Sequence, residues 1–176
     1  MDNNILEFFI KEPEKEFHIR QISKLLKKSP TTISKYLKEC ENKGILKSEK
    51  KLNHLLFKAN SGNENFRQLK LNYNLNILYN SGLINYLIKE FNYPEAIVLF
   101  GSFAKAEDIL KSDIDLLIIS QTKKEINLEK FEKKLGHKIQ IFIHSNKEIS
   151  QMKEKNRELL NNWVNGINVY GFWEVF

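Results

Sequence analysis

The chain has 176 residues, of which 41% are hydrophobic and 28% charged, a balance typical of soluble globular proteins. No apolar run reaches the roughly 18 residues of a membrane span, and no secretory signal begins the sequence. Cys40 is the only cysteine, which excludes an intrachain disulfide and a cysteine-rich zinc site. We therefore expect a cytoplasmic protein without membrane contact. The formal charge of +6 lies mostly in residues 1–60, where 13 Lys and Arg face 8 Asp and Glu, and this asymmetry favours a basic surface for nucleic acid there.

Three helices and a β-hairpin are predicted within residues 1–60. Apolar residues at helical spacing indicate the first two helices: Ile5, Phe8 and Phe9, then Ile19, Ile22, Leu25 and Leu26. Ser29-Pro30 predicts the start of the third, because Ser caps open backbone N–H groups and Pro fits the first helical position. Gly44 should end this helix in the left-handed conformation. Residues 45–50 and 53–59 then alternate loosely as two short strands.

This pattern resembles the winged-helix regulators of bacteria and archaea over about sixty residues. The core face of the third helix consists of Ile33, Tyr36, Leu37 and Cys40. The resemblance implies that this helix enters the major groove of double-stranded DNA while the hairpin contacts phosphates. The candidate DNA-binding residues are polar or basic: Lys27, Lys28, Ser29, Thr31, Thr32, Ser34, Lys35, Lys38, Lys50 and Lys51. The alternatives are a solvated lysine-rich face and a module for protein interaction or dimerisation.

A boundary is predicted at the polar stretch Asn60-Ser61-Gly62-Asn63. We therefore expect a winged-helix domain over residues 1–60, a connecting helix over 61–80 and a second domain over 81–176. The connecting helix should place Phe66, Leu69, Tyr73 and Ile77 on one side. By analogy with winged-helix proteins that dimerise, the aromatic stretch from Phe66 to Tyr79 is the expected seam of a homodimer.

The second domain alternates helices with three apolar strands. Ser81 should cap a helix whose core residues are Leu83, Ile84, Leu87, Ile88 and Phe91. The predicted strands are Ala96–Phe100, Ser112–Ser120 and Lys138–Ile143. A helix over Asn127–Leu135 should stop at Gly136, and a last helix from about Ile149 to Val164 precedes Gly166 and a short apolar tail. The whole chain is thus expected to be α+β, with a mixed sheet flanked by helices in the second domain.

The most informative motif joins the first two of these strands. Gly101-Ser102 ends a buried strand, and Asp113 and Asp115 open the next one ten residues later. Residues two apart on a strand share a face, so both carboxylates should project together. Two hard oxygen donors suit Mg²⁺, glycine leaves room for a phosphate, and Ser102 offers a hydroxyl and a backbone N–H. The pattern predicts a site for a metal–nucleoside triphosphate.

Gly-Ser followed after ten residues by Asp-x-Asp is similar to the signature of minimal nucleotidyltransferases of the DNA polymerase β-like superfamily. The motif spans about eighteen residues, and its context covers most of residues 81–145. The resemblance implies that Asp113 and Asp115 are catalytic metal ligands for Mg²⁺ or Mn²⁺. It also implies that Gly101 and Ser102 hold the phosphates of ATP or another nucleoside triphosphate. Lys105 is a further candidate for reaching the triphosphate, with a surface role as the alternative.

One position departs from that family. A third carboxylate usually stands on a later strand, and the matching strand 138–143 places Gln140 on the polar face while Ile139, Ile141 and Ile143 point the other way. Glutamine accepts a hydrogen bond but carries no charge and cannot act as a base. The family's loop glycine is also replaced, by Ala106. We expect neighbouring Glu107 and Asp108 to be solvated or capping residues.

Three functions follow from these expectations. The first is a DNA-binding protein, such as a transcriptional regulator, whose second domain binds a metal–nucleotide and transfers a nucleotidyl group to a protein or other hydroxyl acceptor. The second is a regulator in which a degenerate nucleotidyltransferase domain only senses nucleotide or mediates assembly. The third is an enzyme whose winged helix recruits a protein or RNA substrate. Gln140 favours the regulator, whereas the Asp113–Asp115 pair favours retained metal–nucleotide binding.

Overall fold

The computed structural model describes residues 3–52 and 54–174. These residues form two compact units, divided between Lys70 and Leu71 within the long helix α4 (Glu64–Ser81). Within the described residues, no helix combines the length and apolar character that crossing a bilayer requires.

The first unit contains three helices and a three-stranded sheet before α4 begins. The helices and strands are α1 (Asn3–Lys11), β1 (Phe17–His18), α2 (Ile19–Leu26), α3 (Pro30–Asn42), β2 (Leu46–Lys51) and β3 (His54–Ala59). The sheet order is β1-β3-β2, and both pairings are antiparallel. The predicted helices and hairpin are therefore present, whereas the two-residue strand β1 is too short to be recognised from alternation. The predicted strand start at Asn53 lies outside the described residues.

Helix α3 begins and ends through the local interactions that its sequence predicts. Its cap residue Ser29 accepts a hydrogen bond from the backbone N–H of Thr32 (3.1 Å), and Pro30 occupies the first turn. At the other end Gly44 has φ +72°, and the N–H of Ile45 reaches back to the carbonyl of Cys40 (2.9 Å). Local interactions therefore define both the beginning and the end of α3.

The core of the first unit follows the predicted apolar stripes with one exception. Ile22, Ile33 and Leu37 are fully buried, and the rings of Phe9 and Phe17 meet edge to face at 5.1 Å. Leu25 was expected in this core, but 56% of it is exposed.

The second unit contains a four-stranded mixed sheet. After α4 come α5 (Leu83–Glu90), β4 (Ala96–Phe100), α6 (Gly101–Lys105), β5 (Ile114–Ile119), α7 (Glu129–Leu135), β6 (Ile139–His144), α8 (Asn146–Lys155), α9 (Arg157–Val164) and β7 (Ile167–Gly171). The sheet order is β6-β5-β4-β7, in which β5 and β6 are parallel and the other pairings antiparallel. The chain is thus an α+β protein with two sheets, as the sequence predicted.

Both faces of this sheet are covered by apolar side chains. On one face Leu99, Ile114 and Leu116 pack with residues of α5 and with Phe131 of α7. On the other face the buried residues come from alternate strand positions and from α8, α9 and the segment after β7: Ala96, Val98, Phe100, Leu117, Ile119, Ile149, Leu160, Trp163 and Trp173. The second face also carries Asp115, which lies two residues before Leu117.

Two predictions for the end of the chain are wrong in detail. The single last helix is divided into α8 and α9, because the side chain of Asn156 accepts a hydrogen bond from the N–H of Leu159 (3.2 Å) and caps a new helix. The apolar tail after Gly166 is not a tail but β7, which pairs with β4. Only a tertiary partner defines such a short edge strand.

The buried line of α4 also differs from the predicted one. Phe66 is buried as expected, but the next buried residues follow at spacings of four: Lys70, Asn74 and Leu78. Leu69, Tyr73 and Ile77 are only half-buried. Two polar residues therefore occupy positions that an apolar stripe would normally fill.

Candidate functional site

The candidate site lies where β4 ends and where β5 and β6 begin. Asp115 pairs in register with Phe100, the residue before Gly101, and with Gln140 on the other side. Asp113 precedes β5 and lies two residues before Asp115. The sheet therefore brings Gly101, Asp113, Asp115 and Gln140 together, as the spacing predicted.

Gly101 is in direct proximity to one of the two carboxylates. Its φ is +70°, a conformation that residues with side chains rarely adopt. A Cβ atom placed on Gly101 would lie 3.2 Å from Cγ of Asp115 and still closer to its Oδ2 than real Cβ atoms approach. The Asp115 carboxylate can therefore pack against the backbone of residue 101 only because that residue is glycine.

The two aspartates experience different surroundings. Burial raises the pKa of Asp115, and the negative charge of Asp113 raises it further. Oδ2 of Asp113 accepts a hydrogen bond from Nε2 of Gln140 (2.7 Å). Two like charges on one face repel each other, and a divalent cation between them would relieve both the repulsion and the desolvation of Asp115.

The donor set fits a hard divalent cation with few protein ligands. Asp113 and Asp115 supply carboxylate oxygens, whereas Gln140 turns its amide Nε2, which is not a metal ligand, toward Asp113. In the described part of the chain, no three His, Cys, Asp or Glu residues converge as a metal cluster. An ion held here would therefore draw further ligands from water and substrate, as Mg²⁺ commonly does.

Helix α6 positions the residues that follow Gly101. Ser102 is half-buried in its first turn, and Lys105 is exposed in its last turn. Ala106 then adopts the left-handed conformation (φ +57°), so the position needs the geometry that glycine provides most easily. The N–H of Glu107 reaches the carbonyl of Ser102 (2.9 Å), which closes the turn.

Of the two roles predicted for Asp108, solvated or capping, the solvated one is wrong. Glu107 is exposed as expected, but Asp108 is buried, and its Oδ1 accepts a hydrogen bond from Nδ2 of Asn74 (2.7 Å). The same Nδ2 also donates to the carbonyl of Phe103 (3.1 Å). Asn74 was not predicted as a buried residue, because the apolar residues of α4 indicate a different face of the helix. The signal lay in the i+4 series that starts at Phe66 and ends at Leu78.

Two histidines lie at opposite ends of the sheet region around β6. Nδ1 of His137 donates to the carbonyl of Ser112 (2.8 Å), so it supports the residue just before Asp113. His144 lies at the other end of β6, four residues from Gln140, or about 13 Å at strand spacing, and is therefore remote from the candidate site. Its ring instead packs against Trp163 (5.0 Å), where burial lowers its pKa.

The candidate DNA-binding residues of the first unit lie on α3 and in two turns. Thr31, Thr32, Lys35 and Lys38 are exposed on α3, and Ser34 is half-buried. Lys27 ends α2 in the left-handed conformation, Lys28 is half-buried, and Lys50 is exposed on β2. Ser29 shares a hydrogen bond with the hydroxyl of Thr32 (2.8 Å) besides capping the helix.

Lys51 is engaged in ion pairs within the same sheet region. Its Nζ lies 2.6 Å from Oε1 of Glu16 and 3.3 Å from Oε2 of Glu49, and these contacts raise its pKa. Exposed ion pairs are weak, so they reduce rather than remove its capacity to meet a phosphate.

The geometry of the second unit agrees with a comparison of the chain with known families. The family model described as "Polymerase beta, Nucleotidyltransferase" matches residues 82–171, just over half of the chain. No curated protein and no solved structure matches the chain. The matched segment contains Gly101, Asp113, Asp115 and Gln140. The protein therefore belongs to the polymerase beta nucleotidyltransferase family.

Proposed function

We propose that the second unit binds a nucleoside triphosphate together with Mg²⁺ or Mn²⁺ at the edge formed by β4, β5 and β6. Asp113 and Asp115 are assigned to the cation, and Gly101 and Ser102 to the phosphates. The observation that carries this assignment is the close approach of the Asp115 carboxylate to Gly101, in a position that a side chain at residue 101 would block, at the sheet edge that also holds Asp113 and Gln140. Lys105, exposed at the end of α6, is assigned to the outer phosphates as a mobile positive charge.

The associated reaction is nucleotidyl transfer to a hydroxyl group, with a protein side chain as the first candidate acceptor. A bound divalent cation supplies positive charge that offsets the charge of the phosphates and of the developing transition state. The residues of the chain then orient the triphosphate between α6 and β5. Gln140 cannot take the proton of the acceptor, because an amide has no basic group near neutral pH. We therefore expect slow transfer combined with intact nucleotide binding.

A second function is favoured by one specific contact. Nε2 of Gln140 donates to Oδ2 of Asp113, where a third carboxylate would instead repel that oxygen and attract another cation. This contact holds Asp113 in place but does not add negative charge. The contact is consistent with a domain that binds a metal–nucleotide as a sensor, transfers no nucleotidyl group and forms part of a regulator.

Nucleotide binding and transfer are separated by one set of measurements. Isothermal titration with Mg·ATP should show binding, and Asp113→Asn should abolish it while keeping the side-chain shape. Glu107→Gln is the matched control, because it removes one carboxylate from the neighbouring exposed turn. Normal Mg·ATP affinity in Asp113→Asn, or a comparable loss in Glu107→Gln, would contradict the assignment.

Transfer is tested with labelled ATP, Mg²⁺ or Mn²⁺, and candidate acceptors. Label incorporation that disappears in Asp113→Asn supports the enzyme, and magnesium-dependent binding without incorporation supports the sensor. Gln140→Asp should raise incorporation, whereas Gln140→Ala removes the same amide without adding an acid and serves as its control. An Asp variant that folds and binds Mg·ATP but shows no gain would mean that residue 140 is not the position of the missing acid.

We also propose that residues 1–60 are a winged-helix domain that binds double-stranded DNA, joined by residues 61–80 to a nucleotidyltransferase domain over 81–176. Support comes from the capped helix α3, whose exposed residues include Lys35 and Lys38, and from the hairpin β2–β3 with Lys50. Such a helix with a basic exposed face is suited to the major groove, and the hairpin to phosphates. The protein would then act as a DNA-binding regulator, and a homodimer along α4 is one way to recognise paired half-sites.

Gel shifts in low salt test the DNA proposal, because binding driven by charge is strongest there. Lys35→Ala/Lys38→Ala should weaken binding by roughly tenfold or more and reduce the salt dependence by about two counterions. The control Lys11→Ala/Lys15→Ala removes the same charge from the end of α1 and the turn that follows it, where both lysines pair with glutamates. Equal losses in the two double variants would indicate a general charge effect, and no binding to any duplex would refute the proposal.

A further inference from the structure

We propose that Asn74 and Asp108 are positioning residues that hold the turn after Gly101 in the shape required for phosphate binding. This inference rests on the proposed nucleotide site and adds two residues outside the motif. Neither residue is assigned to touch the nucleotide. They act through the backbone that carries Gly101 and Ser102.

The contacts of Asn74 join three separate parts of the second unit. Its Nδ2 donates to the carbonyl of Phe103 in α6 (3.1 Å) and to Oδ1 of Asp108 in the following loop (2.7 Å). Asn74 is 1% exposed and Asp108 is 6% exposed. One amide group on a long helix therefore fixes both the short helix α6 and the loop behind it.

Helix α6 needs such external support. It has only five residues, too few to be stable by its own hydrogen bonds. The N–H of Ala106 is 3.4 Å from the carbonyl of Phe103, a long hydrogen bond, so the amide of Asn74 supplies a better donor to that carbonyl. Ala106 is also held at φ +57°, a strained value that persists only where the surroundings enforce it.

The far end of the loop is fastened separately. His137 donates to the carbonyl of Ser112, and the hydroxyl of Ser112 accepts from the N–H of Ile109 (2.9 Å). The segment from Gly101 to Asp113 is thus held at its middle by Asn74 and Asp108 and at its end by His137. A buried polar pair contributes little to stability compared with apolar residues of the same size, but it specifies one arrangement of the backbone.

The test compares Asp108→Ala with Asp108→Asn, because only the second variant keeps an oxygen that can accept from Asn74. Hydrogen exchange of the amides of residues 101–112 is measured without nucleotide, and Mg·ATP affinity by titration. Asp108→Ala should accelerate exchange and weaken Mg·ATP binding by about tenfold each, the effect of one lost buried hydrogen bond. Asp108→Asn should restore both values to within about threefold of the original protein.

Asn74→Leu is the companion variant, since it keeps the side-chain volume and removes both hydrogen bonds. It should accelerate exchange in the same residues and leave exchange in β5 and β6 unchanged. Acceleration spread over the whole unit, or no change in either Asn74→Leu or Asp108→Ala, would overturn the inference. The exchange experiment needs no ligand, so it decides the role of Asn74 and Asp108 even if the protein binds no Mg·ATP, in which case the proposed function alone fails.

Discussion

Replacing Gly101 by alanine tests the most restrictive geometric feature of the candidate site. The new Cβ would lie 3.2 Å from Cγ of Asp115 and closer still to Oδ2, and the backbone at residue 101 would remain at φ +70°. Both effects destabilise the native arrangement. The first is specific to the site, and the second occurs at any left-handed glycine.

Gly136→Ala separates the two contributions. Gly136 ends α7 with φ +75°, and a Cβ there meets no atom within 4 Å. Alanine in this conformation costs about 1–2 kcal/mol, and this is the expected loss for Gly136→Ala. Gly101→Ala should lose that amount plus about 1–3 kcal/mol for displacing the Asp115 carboxylate, as for an overpacked position.

Urea unfolding followed by tryptophan fluorescence measures the difference. The chain has two tryptophans, Trp163 and Trp173, and both are buried in the second unit, so the signal reports on the unit that carries the site. Gly101→Ala should also weaken Mg·ATP binding by at least about tenfold, because Asp115 is moved. Equal free energies of unfolding for the two variants, together with unchanged Mg·ATP affinity in Gly101→Ala, would refute the geometric reasoning.

Three further predictions concern stability. Ala106→Gly should raise the free energy of unfolding by about 1 kcal/mol, because it relieves the left-handed strain at φ +57°; a loss of stability in urea would show that the buried methyl group matters more. Hydrogen bonds from Lys123 and Ser145 lower the pKa of Glu148 to about 2. The contribution of Glu148 to the free energy of unfolding is therefore complete above about pH 4.5 and is lost as the pH falls toward 2. Glu148→Gln should flatten this part of the stability–pH curve, and an unchanged curve would argue against the capping role. Asn156→Ala should cost about 1 kcal/mol through loss of the α9 cap, measurable as a lower urea midpoint, whereas an unchanged midpoint would mean that the cap does not hold α9.

Local interactions explain why much of this protein was predictable from its sequence. The cap at Ser29 and the helix end at Gly136 depend on residues within one turn of each other. The shared face of Asp113 and Asp115 follows from the alternation of a strand, and the alternating isoleucines of β6 placed Gln140 on the matching side. The candidate site was therefore predictable to the extent that it consists of strand ends.

The features that were missed depend on partners distant in the sequence. Strand β7 exists because β4 offers it an edge, and nothing in residues 167–171 alone separates a strand from an apolar tail. The burial of Asn74 depends on Asp108 and Phe103, which lie about thirty residues away in the sequence. The sequence of α4 alone therefore does not distinguish this buried asparagine from an exposed one. The division of the last helix at Asn156 is local, but an asparagine within a polar helical stretch gives a weak signal.

After Asp115, strand β5 continues with residues that are buried in one apolar cluster with Trp163 and Trp173. This packing affects how a charged ligand would bind beside Asp115. Leu117 and Ile119 occupy the same side of β5 within that apolar layer, so tertiary packing orders the strand that carries Asp115. A cation arriving there would meet oxygens already gathered, and its association should be accompanied by little ordering of the protein and a small change in heat capacity. At the proposed cation site, folding alone would position the two carboxylates, and a bound cation would keep part of its water.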